Sequence, residues 1–117
     1  MPERPLAQLL EECTERCRNM EAPLADRLQA FANEVRTLNP DFADVAERMV
    51  QRLKAAGAGE EAPKPGDPMP DFLLPDQSGR LVDLATLLET GPVVIAFHRG
   101  HWCPYCRINA SALVDIQ

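Results

Sequence analysis

Near its end the chain runs from an apolar stretch, Val93-Val94-Ile95-Ala96-Phe97, through His98-Arg99-Gly100-His101-Trp102 into Cys103-Pro104-Tyr105-Cys106. Few folds accommodate that order. The continuous hydrophobicity predicts a strand buried on both faces. Proline at the second position of Cys-Pro-x-Cys suits the first turn of a helix, which is expected from Cys103 to Gln117 with Ile108, Leu113 and Ile116 on it. A strand that delivers two cysteines to a helix N-terminus is an arrangement for thiol chemistry. The positive end of the helix favours the thiolate, and the second sulfur lies one turn on, within reach of the first.

The preceding residues divide at a linker. Gly57 to Pro70 is rich in Gly, Ala, Pro and Glu and ends in Pro63-Lys64-Pro65-Gly66-Asp67-Pro68-Met69-Pro70, a backbone of restricted, extended character. Before it lie three apolar stripes at helical spacing: Leu6, Leu9, Leu10, Cys13, Cys17 and Met20; Leu24, Leu28, Phe31, Val35 and Leu38; and Phe42, Val45, Met49 and Leu53. Pro23 separates the first two. Asn39-Pro40-Asp41 provides an N-cap, a first-turn proline and an acid for the third, which Gly57 and Gly59 close. After the linker, Asp71–Leu74 and Arg80–Val82 flank Pro75-Asp76-Gln77-Ser78-Gly79 and read as a hairpin. Asp83 caps a short helix from Leu84 to Glu89, with Gly91 as its C-terminal cap. The expected domains are therefore a helical extension over 1–60 and a second unit over 61–117.

Composition narrows the function. A net charge of −6 over 117 residues, with arginines scattered among carboxylates, gives no basic stripe for nucleic acid or an anionic membrane. No apolar run is long enough to span a bilayer, and Met1-Pro2-Glu3-Arg4-Pro5 lacks the pattern of a secretory leader. The cytoplasm is the expected location. Four cysteines in two close pairs suit redox or metal chemistry in a reducing compartment better than a framework of structural disulfides.

Four segments together resemble the peroxiredoxin-like branch of the alkyl hydroperoxide reductase / thiol-specific antioxidant family. They are Gly66–Asp76, Gly79–Leu84, Val93–Phe97 and Arg99-Gly100-His101-Trp102-Cys103-Pro104-Tyr105-Cys106. The similarity runs from Leu24 onward; residues 1–22 lie outside it. It implies an α/β, incomplete thioredoxin-like fold (N-terminal hairpin, first central strand, active-site helix) preceded by the α-helical extension. It also implies an antioxidant oxidoreductase acting by peroxide reduction or thiol–disulfide exchange. Cys103 and Cys106 would be the catalytic pair, with Arg99, His101, Trp102 and Pro104 in support. The substrate would be a peroxide or a protein disulfide, electrons would come from a thioredoxin- or glutathione-like donor, and no cofactor or metal is implied.

Family members continue beyond the region that Gln117 matches, with strands that complete the sheet and a wall opposite the thiols. The expectation is thus a fragment of a longer enzyme, or a chain that pairs with another copy through its sheet or its N-terminal helices, with weak or absent catalysis on its own.

The order of the thiols stays open at this level. In the thiol-exchange register an exposed Cys103 attacks and Cys106 resolves, the order adopted from sequence. In the peroxidatic register Cys106 attacks, and Cys103 replaces the hydroxyl residue three positions before it. Trp102 is expected to shield the site. Arg99 either lowers a thiol pKa or faces solvent. His98 and His101 read as loop or packing residues. With the cysteines they would otherwise form a zinc site, in a non-catalytic assembly module. Cys13 and Cys17 read as small buried hydrophobes, with a redox or metal role as the alternative.

Overall fold

The computed structural model describes residues 4–116. Met1-Pro2-Glu3, weighed above as a leader, and Gln117, the end of the expected last helix, lie outside that range. The chain forms two compact units, one made of Met1–Gly57 with His98–Gln117 and the other of Ala58–Phe97.

The first unit is helical. α1 (Leu6–Arg18) carries Arg16 and Arg18 in its last turn, where cations complement the helix dipole. α2 (Leu24–Leu38) starts directly after Pro23. α3 (Pro40–Ala55) begins as the sequence dictates: the Asn39 side chain accepts from the Phe42 N–H at 3.1 Å, with Pro40 in the first turn.

The second unit holds a two-stranded antiparallel hairpin, β1 (Leu73–Pro75) and β2 (Leu81–Asp83), with Leu74 opposite Val82. Its turn is closed by Asp76, whose carboxylate accepts from the Ser78 and Arg80 N–H groups at 2.8 and 2.9 Å. Gly79 supplies the left-handed residue at φ +78°. α4 (Leu84–Leu88) is capped by Asp83, which accepts from the Thr86 N–H at 2.8 Å. Glu89 rather than Gly91 is its C-cap.

α5 (Pro104–Asp115) belongs to the first unit and packs on α1 and α2. The core lies among these three helices: Cys13 and Cys17 from α1, Phe31 and Val35 from α2, and Ile108 from α5. Arg107 fastens α5 to α1 at the rim, its guanidinium reaching both Glu11 oxygens at 2.9 and 2.6 Å and Glu15 at 3.1 Å. That pairing holds the Glu11 carboxyl below its usual range.

The expected central strand is a correction. Among the described residues Val93–Phe97 has no ladder partner, and it lies largely exposed, Phe97 at 84%. A β-strand is a property of two segments, since its N–H and C=O groups need a neighbour's. The only ladder among the described residues joins β1 to β2. The architecture is a mixed helical chain with a small two-stranded sheet. No helix among the described residues is long and apolar enough to cross a membrane.

Candidate active site

Gly100 begins the turn that presents the cysteines. The Cys103 N–H donates to the Gly100 carbonyl at 3.0 Å, and the Arg107 N–H to the Cys103 carbonyl at 3.1 Å, so the turn hands over directly to α5. Cys103 is the N-cap with extended dihedrals and Pro104 follows at the first position. Cys106 thus lies one turn inside the helix, on the side facing back toward the turn. There its Sγ accepts the main-chain N–H of Arg99 at 3.3 Å.

Both sulfurs are sheltered. Cys103 is 1% exposed and Cys106 9%, so the exposed-nucleophile expectation for Cys103 does not hold here. The Cys106 thiol is held below the usual cysteine range. The Cys103 side chain contributes most by hydrogen bonding to it, then the Arg99 N–H, with burial opposing and the Arg99 charge adding a smaller share.

Arg99 reaches the site through both its main chain and its side chain. Its main chain donates to sulfur, while its guanidinium sits 4.9 Å from the centre of the Trp102 ring in a cation–π contact. Trp102 is 68% exposed, so it forms a rim more than a shield. Gly100, which the sequence reading passed over, has φ +142°, and a Cβ there would sit 2.5 Å from Trp102 Nε1. The signal in the sequence is its place between Arg99 and the bulky His101-Trp102 pair.

A cavity of about 400 Å³ opens beside Cys103. Its wall includes Leu6 and Leu10 of α1, Phe31 and Val35 of α2, and Phe42 of α3, facing Trp102 and Tyr105. The helical extension therefore supplies an apolar wall next to the thiols. Tyr105 is fixed in it edge-on to Phe31, ring centres 5.0 Å apart, and burial raises its hydroxyl pKa.

The remaining candidates separate from the site. His98 and His101 are exposed, with no hydrogen bond among the described residues. Among those residues no group of three or more His, Cys, Asp or Glu stands close enough to hold a metal ion. Cys13 and Cys17 are core residues with Sγ atoms 4.0 Å apart. Burial, reinforced by Cys17, pushes the Cys13 thiol up to about 11. All four cysteines are free thiols.

The AhpC/TSA family model matches residues 65–117, which contain the hairpin, the turn and α5. Over those residues the chain is similar to the AhpC/TSA family. Two proteins of Mycobacterium tuberculosis that carry the provisional name peroxiredoxin, from two strains, are each 42% identical over 53 residues. The match takes in 45% of this chain and 34% of each relative, so the chain spans about a third of the length of the curated relatives it matches. No solved structure matches it. Residues 65–117 are thus the part of the chain that resembles proteins named as peroxiredoxins. Cys103 and Cys106 both fall within it.

Proposed function

We propose that the protein is a thiol-dependent peroxidase in which Cys106 attacks and Cys103 resolves. The observation that carries this order is the main-chain N–H of Arg99, which reaches the Cys106 Sγ at 3.3 Å and favours its thiolate. This reverses the order adopted from sequence. The Cys106 thiolate attacks the outer oxygen of a hydroperoxide, the O–O bond breaks, and the alcohol departs after taking a proton. Cys106 is left as a sulfenic acid. The Cys103 thiolate then attacks that sulfur, the hydroxyl leaves as water, and a Cys103–Cys106 disulfide forms. Two electrons from an external donor, one thioredoxin-like dithiol or two glutathione-like monothiols, restore both thiols. No metal or organic cofactor enters these steps. Four free thiols suit a reducing compartment such as the cytoplasm.

The test is thiol titration of the full chain before and after stoichiometric peroxide, with mass spectrometry of the peptides. The reading requires loss of two thiols, recovered by dithiol, and a Cys103–Cys106 linkage. In Cys103→Ser a sulfenic acid should be trapped by dimedone on Cys106. Trapping on Cys103 in Cys106→Ser, with none on Cys106 in Cys103→Ser, would reverse the order. Retention of all four thiols would reject peroxidase chemistry for this chain.

A further inference from the structure

α3 is amphipathic, yet none of its residues is buried. Phe42, Val45, Met49 and Leu53 form one stripe, each half exposed or more. Its charges are sorted along the axis, with Asp41, Asp44 and Glu47 first and Arg48, Arg52 and Lys54 after them. Asp44 and Glu47 are occupied by Arg36 of α2, at 2.8 and 3.0 Å. Among the described residues Asp41, Arg48, Arg52 and Lys54 have no ion-pair partner. Asp41 and Arg52 are eleven positions apart, three helical turns, and so share one flank of the stripe.

We infer that this face of α3 binds the same face of a second copy, antiparallel, about a two-fold axis near Glu47. Reversal is the one operation that satisfies both patterns. It sets Phe42 opposite Leu53 and Val45 opposite Met49, and it brings Asp41 of each copy to Arg52 of the other. A parallel pairing would place acid on acid and base on base. The contact is isologous, so each residue pair occurs twice. A 16-residue helix is about 24 Å long, so one such seam is smaller than a standard protein interface, and micromolar association is expected. The inference does not rest on the redox chemistry, though Phe42 belongs both to this stripe and to the wall of the cavity beside Cys103.

Sedimentation of the whole chain tests it. The mass should rise with concentration from 13.0 kDa toward twice that value. Met49→Glu should weaken the dimer at least tenfold while leaving helix content unchanged, because Met49 is exposed in the single copy. Arg52→Asp should weaken it, and the swapped pair Asp41→Arg with Arg52→Asp should restore it. Geometry is read by disulfide crosslinking in a Cys103→Ser/Cys106→Ser background. Met49→Cys, on the stripe and about two residues from the axis, should link to itself. Asp41→Cys should not, its copies lying about 18 Å apart along the axis. A chain that stays monomeric at hundreds of micromolar, a dimer indifferent to Met49→Glu, or self-linking at position 41 in place of 49 would each overturn the proposal.

Discussion

The main-chain N–H of Arg99 donates to the Sγ of Cys106 across 3.3 Å, joining the turn before α5 to a residue one turn inside it. A donor fixed in the backbone cannot rotate away, so it favours the thiolate in every rotamer of the arginine side chain. The charge of Arg99 acts on the same sulfur but contributes less.

Since Cys103 is the largest influence lowering the Cys106 pKa, Cys103→Ala should raise it toward the ordinary cysteine value. Below the pKa, each unit of rise makes the thiolate about tenfold scarcer. Iodoacetamide labelling of Cys106 near neutral pH should slow accordingly, and its pH profile should move to higher pH. Arg99→Gln keeps the backbone donor and should shift the profile less. Equal shifts in the two variants would show that the arginine charge dominates.

Cys13 titrates in the opposite sense. Its thiol is raised from 9.0 to about 11 in the folded chain, so between those values the unfolded chain has lost a proton that the folded chain retains. Stability is intact below pH 9 and falls as the pH rises toward 11. Urea midpoints measured across that range should decline, and Cys13→Ala, though less stable throughout, should decline less steeply. A parallel decline would place the alkaline lability elsewhere.

Much of this was legible in the sequence wherever one segment decides the outcome. The stripes in α1 to α3, the Asn39 cap with Pro40 and the Asp83 cap depend on neighbours within a few positions. The thiol pair at a helix start was legible for the same reason. What depends on distant segments was not. Val93–Phe97 has the composition of a buried strand, but a ladder needs a second strand. Leu6 and Leu10 read as generic core, and their place in the cavity wall follows from how α5 packs on α1. The Cys103–Cys106 order turns on a main-chain donor, to which side-chain identity gives no clue.

Gly100→Ala should disturb the turn even though alanine is small. At φ +142° an L-residue is strained, and the new Cβ would meet Trp102 Nε1 at 2.5 Å and Cδ1 at 2.7 Å. Either the backbone shifts or the indole leaves its place under Arg99. A loss of roughly 1–3 kcal/mol is expected. Trp102 is the sole tryptophan, so its fluorescence reports the displacement directly. Unchanged emission with unchanged Cys106 labelling would show that the turn absorbs the methyl group.

Arg27 of α2 ties three segments together from a position only 6% exposed. Its Nε donates to the Ala22 carbonyl at 2.8 Å and one terminal nitrogen to the Arg18 carbonyl at 3.0 Å. The other pairs with Asp115 near the end of α5 at 2.8 Å. Removing the guanidinium leaves two main-chain acceptors at the α1–α2 connection without their donors, and buried acceptors are costly to leave unpaired. Arg27→Ala should therefore destabilise the chain by about 3 kcal/mol in urea unfolding. Arg27→Lys should recover only part, because an ammonium lacks the planar fork that reaches three acceptors in different directions. Asp115→Asn should cost less than about 1 kcal/mol, because its carboxylate stands more than half exposed. If Asp115→Asn matched Arg27→Ala, the ion pair rather than the two carbonyl bonds would be what Arg27 contributes, and α5 would be held chiefly by charge.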